Sequence, residues 1–186
     1  MTSTGGENRA ERHQFSRSIE DDDLFDDEVT ALYRREARPL IGYLIRRGAD
    51  PSLAQDIVQD AFLATRQQWS KVRSYERPKA YLYKVASNRS RRVHVYHRRA
   101  GEPHPDLGVL GRVGNPEERL DALDVQRAID KLPRRQQEVV LLFYSCGFSQ
   151  KEIATILQIE VGTVKSHLNH ARTRLAELLG IEENPA

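Results

Sequence analysis

"SQKEIATILQIEVGTVKSHLNHARTRL", residues 149–175, decides how the rest of the chain is read. Ser149 followed three residues later by Glu152 is a capping-box signature, so a helix starts here. Ile153, Ala154 and Leu157 recur at helical spacing and mark its inner face. The stretch "QIEVG" interrupts the period, with Ile159 as an apolar plug. A second helix then places Val164, Leu168, Ala171 and Leu175 on one face. The opposite face carries Thr163, Ser166, Asn169, His170 and Thr173, flanked by Lys165, Arg172 and Arg174. This is a helix-turn-helix layout, whose second helix enters the DNA major groove. Polar side chains there reach base edges, while Lys and Arg grip phosphates. A helical hairpin with a merely solvated polar face has the same layout, so this segment alone leaves both readings open. His167 and His170 lack a third ligand, and no metal site or cofactor is expected.

Working upstream, "RRQQEVVLLFYSCG" after Pro133 is a further helix that Gly147 can terminate. Before it, "NPEE" offers Asn115 as cap, Pro116 in the first turn and Glu118 closing a capping box. Leu120, Leu123, Ile129 and Leu132 line the helix that follows. Residues 100–114, "AGEPHPDLGVLGRVG", have no period and are rich in Gly and Pro. A loop of that length inside a compact domain is unusual, so it is read as a flexible linker.

N-terminal to the linker the helical period returns. Val29, Leu32, Tyr33, Leu40, Tyr43 and Leu44 form one stripe, with Pro39 predicting a kink or break and Gly48 the end. Asp50-Pro51 reads as cap and first residue of the next helix. That helix turns Leu53, Ile57, Val58, Ala61, Phe62 and Thr65 inward and reaches Trp69. Another begins near Pro78, with Tyr81, Leu82, Val85, Ala86 and Val93 as its apolar stripe. The expectation is an all-α protein of two small helical domains, residues 26–99 and 115–180, joined by the linker. Residues 1–25 are expected as a disordered, acidic N-terminal segment and 181–186 as a tail.

Charge supports a polyanionic partner. The net charge is only +2 over 186 residues, but it is unevenly spread. Residues 20–28, "EDDDLFDDE", hold seven acids and no base. That run can lengthen the first helix, remain a solvated tail, or compete with DNA for basic surfaces. From Lys84 to Arg99 there are six basic residues and no acid, the footprint of a phosphate binder or a solvated face. Cys146 is the only cysteine, which excludes an internal disulfide and suits a reducing cytoplasm. No apolar stretch is long enough to span a bilayer, and the first residues lack the apolar region of a secretory signal. No nucleophile–base order or phosphate loop supports an enzyme.

"LPRRQQEVVLLFYSCGFSQKEIATILQIEVGTVKSHLNHARTRL" resembles region 4 of extracytoplasmic-function (ECF) sigma factors, in the sigma-70 family. "DIVQDAFLATRQQW" resembles region 2.2, and "RPKAYLYKVASNRSRR" resembles regions 2.3 and 2.4. The resemblance implies a promoter-specificity subunit of bacterial RNA polymerase. It implies that Gln55, Asp56, Gln59, Asp60 and Phe62 dock on the clamp helices of the largest subunit. It implies that Tyr81, Tyr83, Lys84, Asn88, Arg89, Arg91 and Arg92 recognise and help melt the −10 element. For the two tyrosines, core packing is the competing role. Thr163, Lys165, Ser166, His167, Asn169, His170 and Arg172 are the expected −35 readers. Lys165 and Ser166 match the family pattern, whereas Gln158, Glu160 and His167 depart from a frequent Gly, Pro and Arg. Further partners so implied are the flap of the second-largest subunit, promoter DNA and an anti-sigma factor. Alternatives are a helix-turn-helix regulator acting unaided and a family member reduced to protein interaction.

Overall fold

The computed structural model describes the backbone of residues 7–100 and 116–180, and the side chains of 26–93 and 123–180. All regular structure among these residues is helical. In chain order the helices are α1 (Glu7–Arg46), α2 (Pro51–Gln67), α3 (Trp69–Val72), α4 (Pro78–Ala100), α5 (Pro116–Asp130) and α6 (Arg134–Val140). A π-helical turn (Leu141–Ser145) follows, then α7 (Gln150–Leu157) and α8 (Val161–Leu179). The linker expected at 100–114, the Asn115 cap and the tail at 181–186 fall at or beyond the edge of the described residues.

Two expectations for the first helix change. Residues 7–25, expected as disordered, are helical backbone continuous with α1. Neither does Pro39 break the helix. Pro39 and Arg35, whose carbonyl loses its usual N–H donor there, are both exposed, and water can satisfy that carbonyl at no packing cost. Gly48, at φ 88°, ends the turn after α1, a conformation glycine adopts without a Cβ penalty. Asp50 then caps α2, accepting from the Leu53 amide at 2.9 Å, with Pro51 in the first turn.

The N-terminal bundle closes when α2 and α4 pack against α1. Leu32, Leu40, Leu44, Ile57, Val58, Ala61, Leu82 and Ala86 form its dry centre. Asp26 of α1 forks onto Arg66 at 2.7 and 3.1 Å. Glu28 accepts from the Trp69 indole at 2.8 Å and from Arg73 at 3.0 Å. The end of the acidic run thus ties α1 to α2 and α3. The C-terminal bundle packs α5, α6, α7 and α8 around Val139, Val140, Ile153, Ile156, Leu157, Val164 and Leu168.

The two bundles share a seam that the sequence did not announce. Phe148, just before α7, is 2% exposed. Its ring meets Tyr83 of α4 at 4.9 Å, edge to face. Tyr83 in turn packs on Tyr43 of α1 at 5.6 Å, and the Tyr43 hydroxyl lies 3.3 Å from that of Ser87. The Lys79 ammonium lies 4.7 Å from the Phe148 ring centre and donates to the Cys146 carbonyl at 3.0 Å. Arg77 donates to both carboxylate oxygens of Glu152 at 2.9 Å. Arg47 at the end of α1 pairs with Glu138 of α6, their side chains only 1% and 3% exposed.

Candidate nucleic-acid interface

The helix-turn-helix is built by local chemistry. Ser149 accepts from the Glu152 amide at 3.3 Å, and Glu152 accepts from the Ser149 amide at 2.7 Å, completing the capping box. Ile153, Ala154, Ile156 and Leu157 then bury the inner face of α7. Gln158 reverses the chain in the left-handed region, at φ 57° and ψ 50°. Ile159 follows, donating from its amide to Ala154 at 3.1 Å and packing against the core. Glu160 opens α8 without a side-chain capping bond. Val164, Leu168 and Ala171 seat the helix on the bundle.

This register turns Thr163, Lys165, Ser166, Asn169, His170 and Arg172 outward, and His167 is half-buried. These seven expected −35 readers therefore share one helix, six of them on its open side. Arg172 donates from Nε to the Tyr144 hydroxyl at 2.8 Å, which steadies it beside the exposed ring. The surface is polar and cationic, and it offers donors to phosphates and to base edges.

The expected −10 readers divide. Arg92 is exposed, and Lys84, Asn88 and Arg89 are half-buried on α4. Tyr81 is half-buried with its ring 6.1 Å from Tyr75. Tyr83 does not stand with them. It is fully buried between Tyr43 and Phe148, so no base reaches it in this arrangement. Burial also pushes its phenol well above the ordinary value. Arg91 is drawn toward the seam, where its Nε and Nη2 are buried without a hydrogen-bond partner among the described residues.

On α2, Gln55, Asp56, Gln59 and Asp60 are exposed as expected. Phe62 is not part of that surface, because it is 6% exposed under the edge of Tyr33 at 4.9 Å. The apolar member of the face is Leu63, 55% exposed, beside the 47% exposed Tyr33. Leu63 follows Asp56 and Asp60 at i+7 and i+3, so helical spacing alone places it there. Asp60 pairs with Arg89 of α4, which joins the expected polymerase face to the expected DNA helix.

The sigma-70 region 2 model matches residues 32–101, and the sigma-70 region 4 model matches residues 122–175. The ECF RNA polymerase sigma factor SigL of Mycobacterium tuberculosis is 32% identical over 152 residues, covering 77% of this chain and 84% of that protein. The chain belongs to the sigma-70 family. The ECF RNA polymerase sigma factor EcfG of Rhodopseudomonas palustris is 28% identical over 163 residues, 87% of each chain. Among solved structures, the sigma factor RpoE in complex with the anti-sigma factor NepR from Bartonella quintana is similar. Its TM-score is 0.65 at 25% identity, covering 84% of this chain and 99% of that one. CnrH in complex with the cytosolic domain of CnrY shares the fold at TM-score 0.59 and 22% identity, covering 85% and 91%. Region 2 of this sigma factor is thus the α1–α4 bundle, and region 4 is the α5–α8 bundle. Such proteins are transcription-initiation factors rather than catalysts. None of the described helices is long and apolar enough to cross a membrane.

Proposed function

We propose that this sigma factor joins RNA polymerase core and directs initiation at promoters that carry its own −10 and −35 elements. The observation that carries the reading is the exposed polar-cationic face of α8, set by the left-handed turn that follows the capped α7 in a family-matched region 4. Lys165, Ser166, His167, Asn169 and His170 read the −35 bases, with Thr163 and Arg172 on the backbone. Lys84, Asn88, Arg89, Arg91 and Arg92 of α4 meet the −10 element, with Tyr81 as the aromatic surface for an unstacked base. Melting needs no bond chemistry, because binding an extruded base offsets the few kcal/mol of unstacking. The α2 face of Gln55, Asp56, Gln59, Asp60 and Leu63 docks on the clamp helices of the largest subunit, and region 4 meets the flap of the second-largest. Such a protein works in the cytoplasm. The RpoE complex with NepR supports an anti-sigma factor among the partners.

Run-off transcription with bacterial RNA polymerase core tests the reading. A transcript that depends on the added protein and on both promoter elements is expected. Specific DNA binding by the free chain with no effect on polymerase would overturn it in favour of a regulator acting unaided.

A further inference from the structure

Two guanidiniums, one from each region, meet on one carboxylate at the seam. Glu138 of α6 pairs with Arg47, in the turn after α1, and accepts from Arg135 of its own helix at 2.8 Å. Arg91 of α4 lies within the same electrostatic neighbourhood. Two of the cations belong to region 2, and Glu138 is the acid that region 4 presents to them. Nε and Nη1 of Arg47, and Nε and Nη2 of Arg91, are buried without a hydrogen-bond partner among the described residues. A carboxylate offers a guanidinium the same forked acceptor geometry as a phosphate does. Beside this cluster, Phe148 covers Tyr83, while Lys79 and Arg77 hold the Cys146 and Gly147 carbonyls and Glu152.

We propose that Glu138 is an internal latch that occupies Arg47, beside Arg91, in place of nucleic-acid phosphate and holds region 4 over α4 until the two regions part. The masking of a promoter-reading helix rests on the proposed function above; the latch itself does not. The closed seam is held but not saturated. Cations outnumber the acid, and desolvated N–H groups without acceptors oppose burial. Opening returns those groups to water and exposes Tyr83, Arg47 and Arg91 together. A polyanion then offers many acceptors where the closed form offers one. Free protein is therefore kept from DNA by the same cations that serve it once opened.

Cys146, the sole cysteine, provides the test. It lies half-buried at the seam, where Tyr83 and Lys79 of region 2 surround it. Its rate of reaction with the thiol reagent DTNB in the full-length protein reports opening. Glu138→Gln and Arg47→Met should each raise that rate by about tenfold, the scale for cutting a coupled buried pair, with helix content by circular dichroism unchanged. Arg47→Met leaves the Arg135–Glu138 bond of region 4 in place. An unchanged rate in that variant overturns the latch. So does a rise accompanied by loss of helix, which would assign these residues to folding rather than to the seam. Run-off transcription at limiting protein separates the two proposals. More transcript from Glu138→Gln than from wild type supports the masking. No transcript from either protein overturns the promoter reading, while the DTNB rates still decide the latch.

Discussion

Gln158 holds the turn between α7 and α8 in a left-handed conformation that disfavours any side chain with a Cβ. Gln158→Gly should therefore raise stability by about 0.5–1 kcal/mol, the Cβ penalty less the extra backbone freedom of glycine. A higher urea midpoint at unchanged slope would register it. Nine residues earlier, Ser149 carries one arm of the capping box. Ser149→Ala should lower stability by about 1 kcal/mol, measured the same way. Burial raises the Glu152 carboxyl, yet the Ser149 hydroxyl and amide and Arg77 together hold it below its ordinary value. Loss of the Ser149 hydroxyl should bring it part of the way back.

Among the helices, α8 and α2 should separate DNA reading from polymerase docking. Lys165→Ala should lower transcription from −35-dependent promoters by about tenfold, the loss of one good base or phosphate contact. Its affinity for core polymerase, read by fluorescence polarisation, should not change. Leu63→Ser should do the reverse and weaken core binding by about tenfold, as expected for an apolar anchor at an interface centre. The caps and stripes of these helices were legible in the sequence because they depend on neighbours one to seven residues away. Ser149 with Glu152, Asp50-Pro51, and Val164, Leu168 and Ala171 are of that kind. The fate of Tyr83 was not legible. Tyr83, Ser87 and Ser90 form a second buried line along α4, at i, i+4 and i+7, and two small serines there read as polar surface. Only the approach of Tyr43 and Phe148 from elements 40 and 65 residues away makes that line an interior. Phe62 was read both as core and as contact residue. The period gave its direction correctly, and Leu63 on the next face was passed over.

For the whole molecule, the seam makes the relation of the two regions depend on acid. Burial pushes the Glu138 carboxyl up, but Arg47, Arg135 and Arg91 together hold it below the ordinary value of 4.5. A carboxyl lowered in the closed form contributes stability that is fully present above 4.5. That contribution is lost as pH falls through the lowered value. The radius of gyration from small-angle scattering should therefore grow as pH is lowered from neutral into the acid range below 4.5. In Glu138→Gln the radius should already be larger at neutral pH, and its growth in acid correspondingly smaller. Asp26, lowered by its bond to Arg66, loosens the middle of α1 from α2 in the same direction without touching the seam.

Trp69 is the only tryptophan, it is 5% exposed, and its indole is anchored to Glu28 of α1. Its fluorescence is consequently a native optical gauge of region 2 alone, while far-UV circular dichroism sums the helices of both regions. With the seam intact, the two signals should follow one common urea transition. Where the seam is cut, they should separate into two curves, and the gap between them measures how strongly one half of the molecule informs the other.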